Sequence, residues 1–146
     1  MTDQRRVQNP FDTMRANRVL APHDPKLNDI RWLIGEALRR THRRAQLNTL
    51  HSPDLNRVDV GYGPKGGLPQ AEAALQARDK LRRAEEKVGR YAWPIVTRII
   101  IEDAGVRECR SFVPELTTPW RTDAVITDRL RVALDLLGPL LGVTGE

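Results

Sequence analysis

The residues with the clearest chemical potential are arginines that cluster at helical spacing. Positions 39–44 read Arg-Arg-Thr-His-Arg-Arg, and positions 78–90 hold a second basic stretch. The planar guanidinium group presents several donors in a fork that matches a phosphate group or a base edge, so such clusters favour a polyanionic ligand. The predicted phosphate-binding residues are Arg39, Arg40, Arg43, Arg44, Arg82 and Arg83.

The charge of the chain is distributed unevenly. The sequence has 24 Lys and Arg against 19 Asp and Glu, a net charge of +5. Residues 1–90 contain 18 basic and 11 acidic side chains, a net +7, whereas residues 91–146 contain 6 and 8, a net −2. This asymmetry indicates a polyanion-binding surface joined to a packing unit. The alternative, that the basic runs are ordinary solvated helix faces, stays open at this point.

Catalytic and metal-binding chemistry finds little support in the sequence. Cys109 is the single cysteine and the three histidines are scattered, which excludes a disulfide scaffold and a cysteine zinc module. The glycine-rich segment 61–67 has no Gly-Lys-Ser/Thr ending and follows no strand, so it does not match a P-loop. Nucleophilic catalysis would need Cys109 or a serine near a histidine, but His42 and His51 lie in the predicted basic helix and loop, and Cys109 occupies an apolar helical position typical of a core thiol. We therefore predict a protein that is not an enzyme and that has no cofactor or metal.

The length of 146 residues fits one compact domain. Hydrophobic residues make up 40% of the chain and aromatic residues 5%, which predicts a small and mostly aliphatic core. No run approaches 18 apolar residues, and the first six residues are largely polar and charged, so the sequence predicts neither a transmembrane span nor a secretory signal. We expect a cytoplasmic protein with no membrane partner.

The elements that must position the basic residues are helices, since apolar residues recur every three or four positions. We interpret residues 1–24 as a flexible basic arm and residues 25–146 as a helical domain. A helix runs to about Leu47 with Asp24 as its N-cap. Residues 48–69 are rich in Gly and Pro and are predicted to form a long loop.

Further helical segments are predicted in the C-terminal half. A long helix covers residues 69–101, with a kink near position 91 because Pro94 lacks a backbone donor. A short helix follows over residues 106–116, and a strongly amphipathic last helix begins with Thr122 or Asp123 as its cap. The predicted fold class is therefore all-α, a small bundle of about four to five helices.

The last three helical segments match a helix-turn-helix-like arrangement, because the middle one is short and the last follows a turn. An ordinary small helical bundle would show the same pattern, so both interpretations are kept. In a helix-turn-helix, exposed residues near the start of the last helix contact base edges in the major groove. The predicted base-contacting residues are Arg121, Thr122, Thr127 and Arg131.

Three sequence blocks together suggest a family. Residues 35–47, 77–89 and 128–138, with the glycine-rich segment between the first two blocks, resemble a domain of unknown function found in alphaproteobacterial helix-turn-helix transcription regulators. That group includes activators of gene transfer agent clusters. The similarity covers about residues 27–138, and the motifs are short. In the family a Trp-Pro segment followed by Arg-Ser leads into the final helix, whereas this chain reads Thr-Pro-Trp-Arg-Thr at positions 118–122.

The resemblance implies a DNA-associated transcription module, acting in a prophage or gene transfer agent cluster. We therefore expect a regulator or accessory factor that binds double-stranded DNA. The alternative from another class is an adaptor that docks on RNA polymerase or a partner activator, with Trp93, Phe112 and Trp120 as aromatic anchors. An exposed Trp120 would favour that alternative. A homodimer would suit a palindromic DNA site, although no heptad run indicates a coiled coil.

Overall fold

A computed structural model of the protein describes residues 9–50 and 63–144. Within these two ranges the chain is helical and has no strand, which confirms the predicted all-α bundle. No helix there is long and apolar enough to cross a membrane. The elements are α1 (Pro10–Ala16), α2 (Pro25–Leu50), α3 (Gly63–Val88), α4 (Trp93–Val96) with a π-helical segment (Thr97–Ile101), a 3-10 helix (Val106–Phe112) and α5 (Pro119–Leu141).

Helix α2 occupies the centre of the bundle and contacts α1, α3, the π-helical segment and α5. Its most extensive interface is with α3. The buried residues of these two helices include the small side chains of Ala45, Ala74 and Ala77. Small side chains allow two helix axes to approach closely. The core is mostly aliphatic, as predicted, and its largest fully buried members are Leu20, Leu38, Ile95, Val96, Ile99, Ile100, Val113, Ile126, Leu130, Leu134 and Leu137, with Phe11.

Local signals explain several helix boundaries. The Asp24 carboxylate accepts a hydrogen bond from the Leu27 backbone N–H at 3.1 Å, so this residue caps α2 as predicted. The predicted interruption of the long helix is also present. Gly89 has φ +91°, a left-handed conformation that suits glycine, and Pro94 lies in the first turn of α4.

The last helix begins earlier than predicted. Its N-cap is Thr118, and Pro119 occupies the first turn, where the fixed φ of proline favours helix initiation. The prediction of Thr122 or Asp123 as the cap is therefore wrong. Both residues lie inside α5, which ends at Gly142 in a left-handed conformation.

The predicted flexible arm is wrong for residues 9–24. Asn9 caps α1 by accepting a hydrogen bond from the Asp12 N–H at 2.9 Å, and Phe11 is fully buried. The Phe11 ring packs so closely on α2 that a Cβ atom on Gly35 would overlap it. Residues 1–8 of the predicted arm lie outside the described residues.

Hydrogen bonds to the backbone hold the segment that follows α1. The buried Asn28 side chain accepts from the N–H groups of Leu20 and Ala21 and donates to the carbonyl of Arg15. Arg31 donates to the Leu20 carbonyl at 2.6 Å. Because buried backbone groups need partners, these contacts fix a segment that has no regular structure of its own.

The predicted loop at 48–69 is also too long. Helix α2 extends to Leu50 and α3 begins at Gly63, so both ends of that segment are helical. Pro64 is tolerated there because backbone N–H groups in a first helical turn have no partner within the helix. The remainder of the predicted loop, residues 51–62, lies outside the described residues.

Replacing Phe11 tests whether the N-terminal segment belongs to the core. We expect Phe11→Ala to lower the free energy of unfolding by about 3–5 kcal/mol, because it leaves a cavity against α2. Thr13→Ala, on the exposed side of the same helix, should change it by less than about 0.5 kcal/mol. Urea unfolding followed by circular dichroism measures both. Equal and negligible effects would show that residues 9–24 form an unpacked arm.

Candidate nucleic-acid interface

The arginine cluster of α2 divides into a structural residue and exposed ones. Arg39 is 18% exposed, and its guanidinium donates to the Ile100 carbonyl at 3.0 Å, to Glu36 at 2.8 Å and to Asp103 at 3.2 Å. It thereby fastens α2 to the end of the π-helical segment. Arg39 was predicted to contact phosphate, but its guanidinium is used in these contacts within the protein.

Arg40, Arg43 and Arg44 lie on the solvent side of α2. None of them forms an ion pair with a residue in the described ranges. Arg40 and Arg44 are one helical turn apart and share one side of α2, whereas Arg43 lies farther around the helix. Three uncompensated guanidinium groups within one and a half turns make a strongly cationic surface.

A groove of about 510 Å³ runs between α2 and α3, and we call it the α2–α3 groove. Thr41 and Arg44 line it from α2. Its lining on α3 consists of Ala73, Leu75, Gln76, Ala77, Asp79, Lys80 and Arg83. Thr41 of α2 and Ala77 of α3 are small and buried, so the two helices are close at this point. Arg44 from α2 and Lys80 and Arg83 from α3 therefore line one concave surface.

Lys80 is absent from the predicted site residues, although the sequence contains a signal for it. Positions 76, 80, 83 and 87 follow each other at intervals of three or four, so they form one stripe along α3. That stripe contains Lys80, Arg83 and Lys87 and no acidic residue. Helical spacing combined with the contact to α2 places Lys80 and Arg83 in the α2–α3 groove, together with Arg44.

Arg82 and Arg83 of α3, unlike Arg40, Arg43 and Arg44 of α2, have acidic partners in the described part of the chain. Asp79 contacts Arg82 at 2.6 Å and Arg83 at 3.0 Å, and Glu86 contacts Arg82 at 3.1 Å. The hydrogen bond from Arg82 is the main cause that lowers the pKa of Asp79; desolvation opposes it, and the charges of Arg83 and Arg82 add to the lowering. The same contact raises the pKa of Arg82. Both groups are therefore charged at neutral pH.

Most of the predicted base-contacting residues of α5 have partners within the protein. Thr122 is 2% exposed and donates to the Thr118 carbonyl at 2.9 Å, so the prediction that it is exposed is wrong. Thr127 is half-buried and donates to the Asp123 carbonyl. Arg131 donates from two nitrogens to the Val19 carbonyl at 3.0 and 2.6 Å.

Arg121 remains available at the start of α5. Its guanidinium lies 5.4 Å from the centre of the Trp120 ring, a cation–π contact, and both side chains are exposed. Trp120 is 68% exposed, which is unusual for so large an apolar side chain. The other two predicted aromatic anchors are less exposed, since Phe112 is 36% exposed and Trp93 packs against the core.

An ion pair joins the 3-10 helix to the start of α5. Arg110 makes two hydrogen bonds of 2.8 Å to the two carboxylate oxygens of Asp123. This contact lowers the pKa of Asp123 and raises that of Arg110. The ion pair therefore holds the 3-10 helix against the start of α5.

The chain was compared with protein families, curated proteins and solved structures. No protein-family model, no curated protein and no solved structure matches the chain. The resemblance to a domain of helix-turn-helix regulators therefore stays a prediction.

The ion pair between Arg110 and Asp123 predicts a specific pH dependence of stability. Because the pKa of Asp123 is lowered in the folded state, the pair stabilises the fold above the ordinary carboxyl value of 3.8 and loses this effect as the pH falls below it. Asp123→Asn should have a lower melting temperature than the wild type at pH 7. The difference should shrink on acidification below about pH 4. A difference that stays constant down to pH 2 would contradict this role.

Proposed function

We propose that this protein binds double-stranded DNA through the phosphate backbone, with the α2–α3 groove and the adjoining surface of α2 as the contact region. The observation that carries the proposal is the meeting of Arg44, Lys80 and Arg83 from two helices in one groove. Arg40 and Arg43 extend the same cationic surface without acidic partners in the described part of the chain.

The physical basis is the charge density of the duplex. DNA carries about one negative charge per 1.7 Å of helix axis, and each neutralised phosphate releases condensed counterions. Several cations on two packed helices can engage several phosphates at once without rearrangement of the bundle. Binding of this kind is favourable, depends strongly on salt and varies little with sequence.

Base recognition is a weaker part of the proposal. Of the four base-contacting residues predicted in α5, Arg121 alone is exposed and free of hydrogen bonds to other described residues. The geometry thus supports phosphate contacts more than sequence readout. A role in transcription regulation, within a prophage or gene transfer agent cluster, rests on the family resemblance.

A second candidate function is supported by the exposure of Trp120. A protein-interaction adaptor would use an exposed aromatic residue with an arginine neighbour as an anchor, and Trp120 with Arg121 fits that description. RNA polymerase or a partner activator would be the bound protein. This function needs no DNA contact at the α2–α3 groove, so a DNA-binding experiment separates the two candidates.

Fluorescence anisotropy of labelled duplexes over a salt series tests the DNA proposal. Arg40→Ala and Arg44→Ala should each weaken binding to a promoter duplex and to a scrambled duplex by the same factor. Each should also reduce the slope of log K against log salt by about 1, because one phosphate contact is lost. Arg107→Ala removes the same charge from an exposed position on the 3-10 helix and should change neither quantity.

Two results would contradict the proposal. The first is an equal loss of affinity in Arg107→Ala, which would indicate a general effect of net charge. The second is a wild-type protein that does not bind either duplex at low salt, which would remove DNA as the direct ligand and favour the adaptor.

A further inference from the structure

Asp79 occupies an unexpected position, because its carboxylate lies in the cationic α2–α3 groove. It contacts both Arg82 and Arg83 from one helical turn away. The side chain is 43% exposed, so these pairs are accessible to solvent and to a ligand. A single acidic residue thus pairs with Arg83 inside the groove and with Arg82 beside it.

We infer that Asp79 acts as an internal competitor for phosphate and restrains the affinity of the α2–α3 groove for DNA. The inference rests on the proposed function. A phosphate that approaches Arg83 must first displace the Asp79 carboxylate from the guanidinium. This competition weakens binding, and it is much reduced when the carboxylate is replaced by a neutral amide.

The neighbouring acidic residues of α3 do not share this placement. Glu86 contacts Arg82 and is not among the residues that line the groove. Glu85 is exposed, forms no ion pair with any residue of the described ranges and also lies outside the groove. Glu85 is therefore a suitable control, since it carries the same charge on the same helix but lies outside the groove.

The test compares Asp79→Asn with Glu85→Gln in duplex binding at near-physiological salt. Each substitution removes one negative charge from α3. We expect Asp79→Asn to bind duplex DNA about tenfold more tightly than the wild type and Glu85→Gln about twofold, because the second acts by long-range charge alone. Circular dichroism and the melting temperature verify that both variants fold, and Asp79→Ala serves as a second variant.

A double-mutant cycle shows whether Asp79 acts through its two arginines. In an Arg82→Ala/Arg83→Ala background, the gain from Asp79→Asn should fall to the twofold gain of Glu85→Gln. The inference is overturned if Asp79→Asn binds no more tightly than Glu85→Gln, or if its gain persists without the arginines. These results leave the proposed function standing, whereas a wild-type protein that binds no duplex overturns both.

Discussion

The packing of α2 is the constraint on which the rest of the structure depends. This helix contacts α1, α3, the π-helical segment and α5, so a wide sector of its surface is committed to the core. Leu38 fills the interior, Gly35 admits the Phe11 ring, and Arg39 lies at the edge with a hydrogen bond to Ile100. A helix turns by about 100° per residue, so adjacent positions in one arginine cluster face different environments. Within this arginine cluster, the exposed side chains that are available to a ligand are those of Arg40, Arg43 and Arg44.

Periodic signals made much of the fold predictable. The Asp24 cap, the break between α3 and α4 and the apolar face of α5 follow from local chemistry that a single sequence displays. The N-terminal segment was not predictable in this way, because its order depends on distant residues. Asn28, Arg31 and Arg131 bind backbone groups of residues 15–21 from two other helices. A side chain that satisfies a remote carbonyl has no signature in local spacing.

The candidate site was predictable in composition and less so in arrangement. A cluster of arginines identifies a cationic region, but it does not show which members point to solvent and which bind backbone. The guanidinium groups of Arg39 and Arg131 donate hydrogen bonds to backbone carbonyls of other segments, and Thr122 is buried. The contribution of Lys80 could not be predicted from the spacing along α3 alone, because it depends on the contact between α3 and α2. The candidate DNA-contacting surface is therefore the α2–α3 groove rather than the start of α5.

We propose separate roles for neighbouring arginines of α2, with Arg39 stabilising the fold and Arg40 binding DNA. The most direct measurement determines the unfolding midpoint and the duplex affinity of Arg39→Ala and Arg40→Ala side by side. Arg39→Ala should lose about 2 kcal/mol of stability through its broken hydrogen bonds and, where it is folded, retain most of its DNA affinity. Arg40→Ala should keep wild-type stability and bind DNA more weakly. The opposite pattern, or the same loss in both variants, would contradict the account.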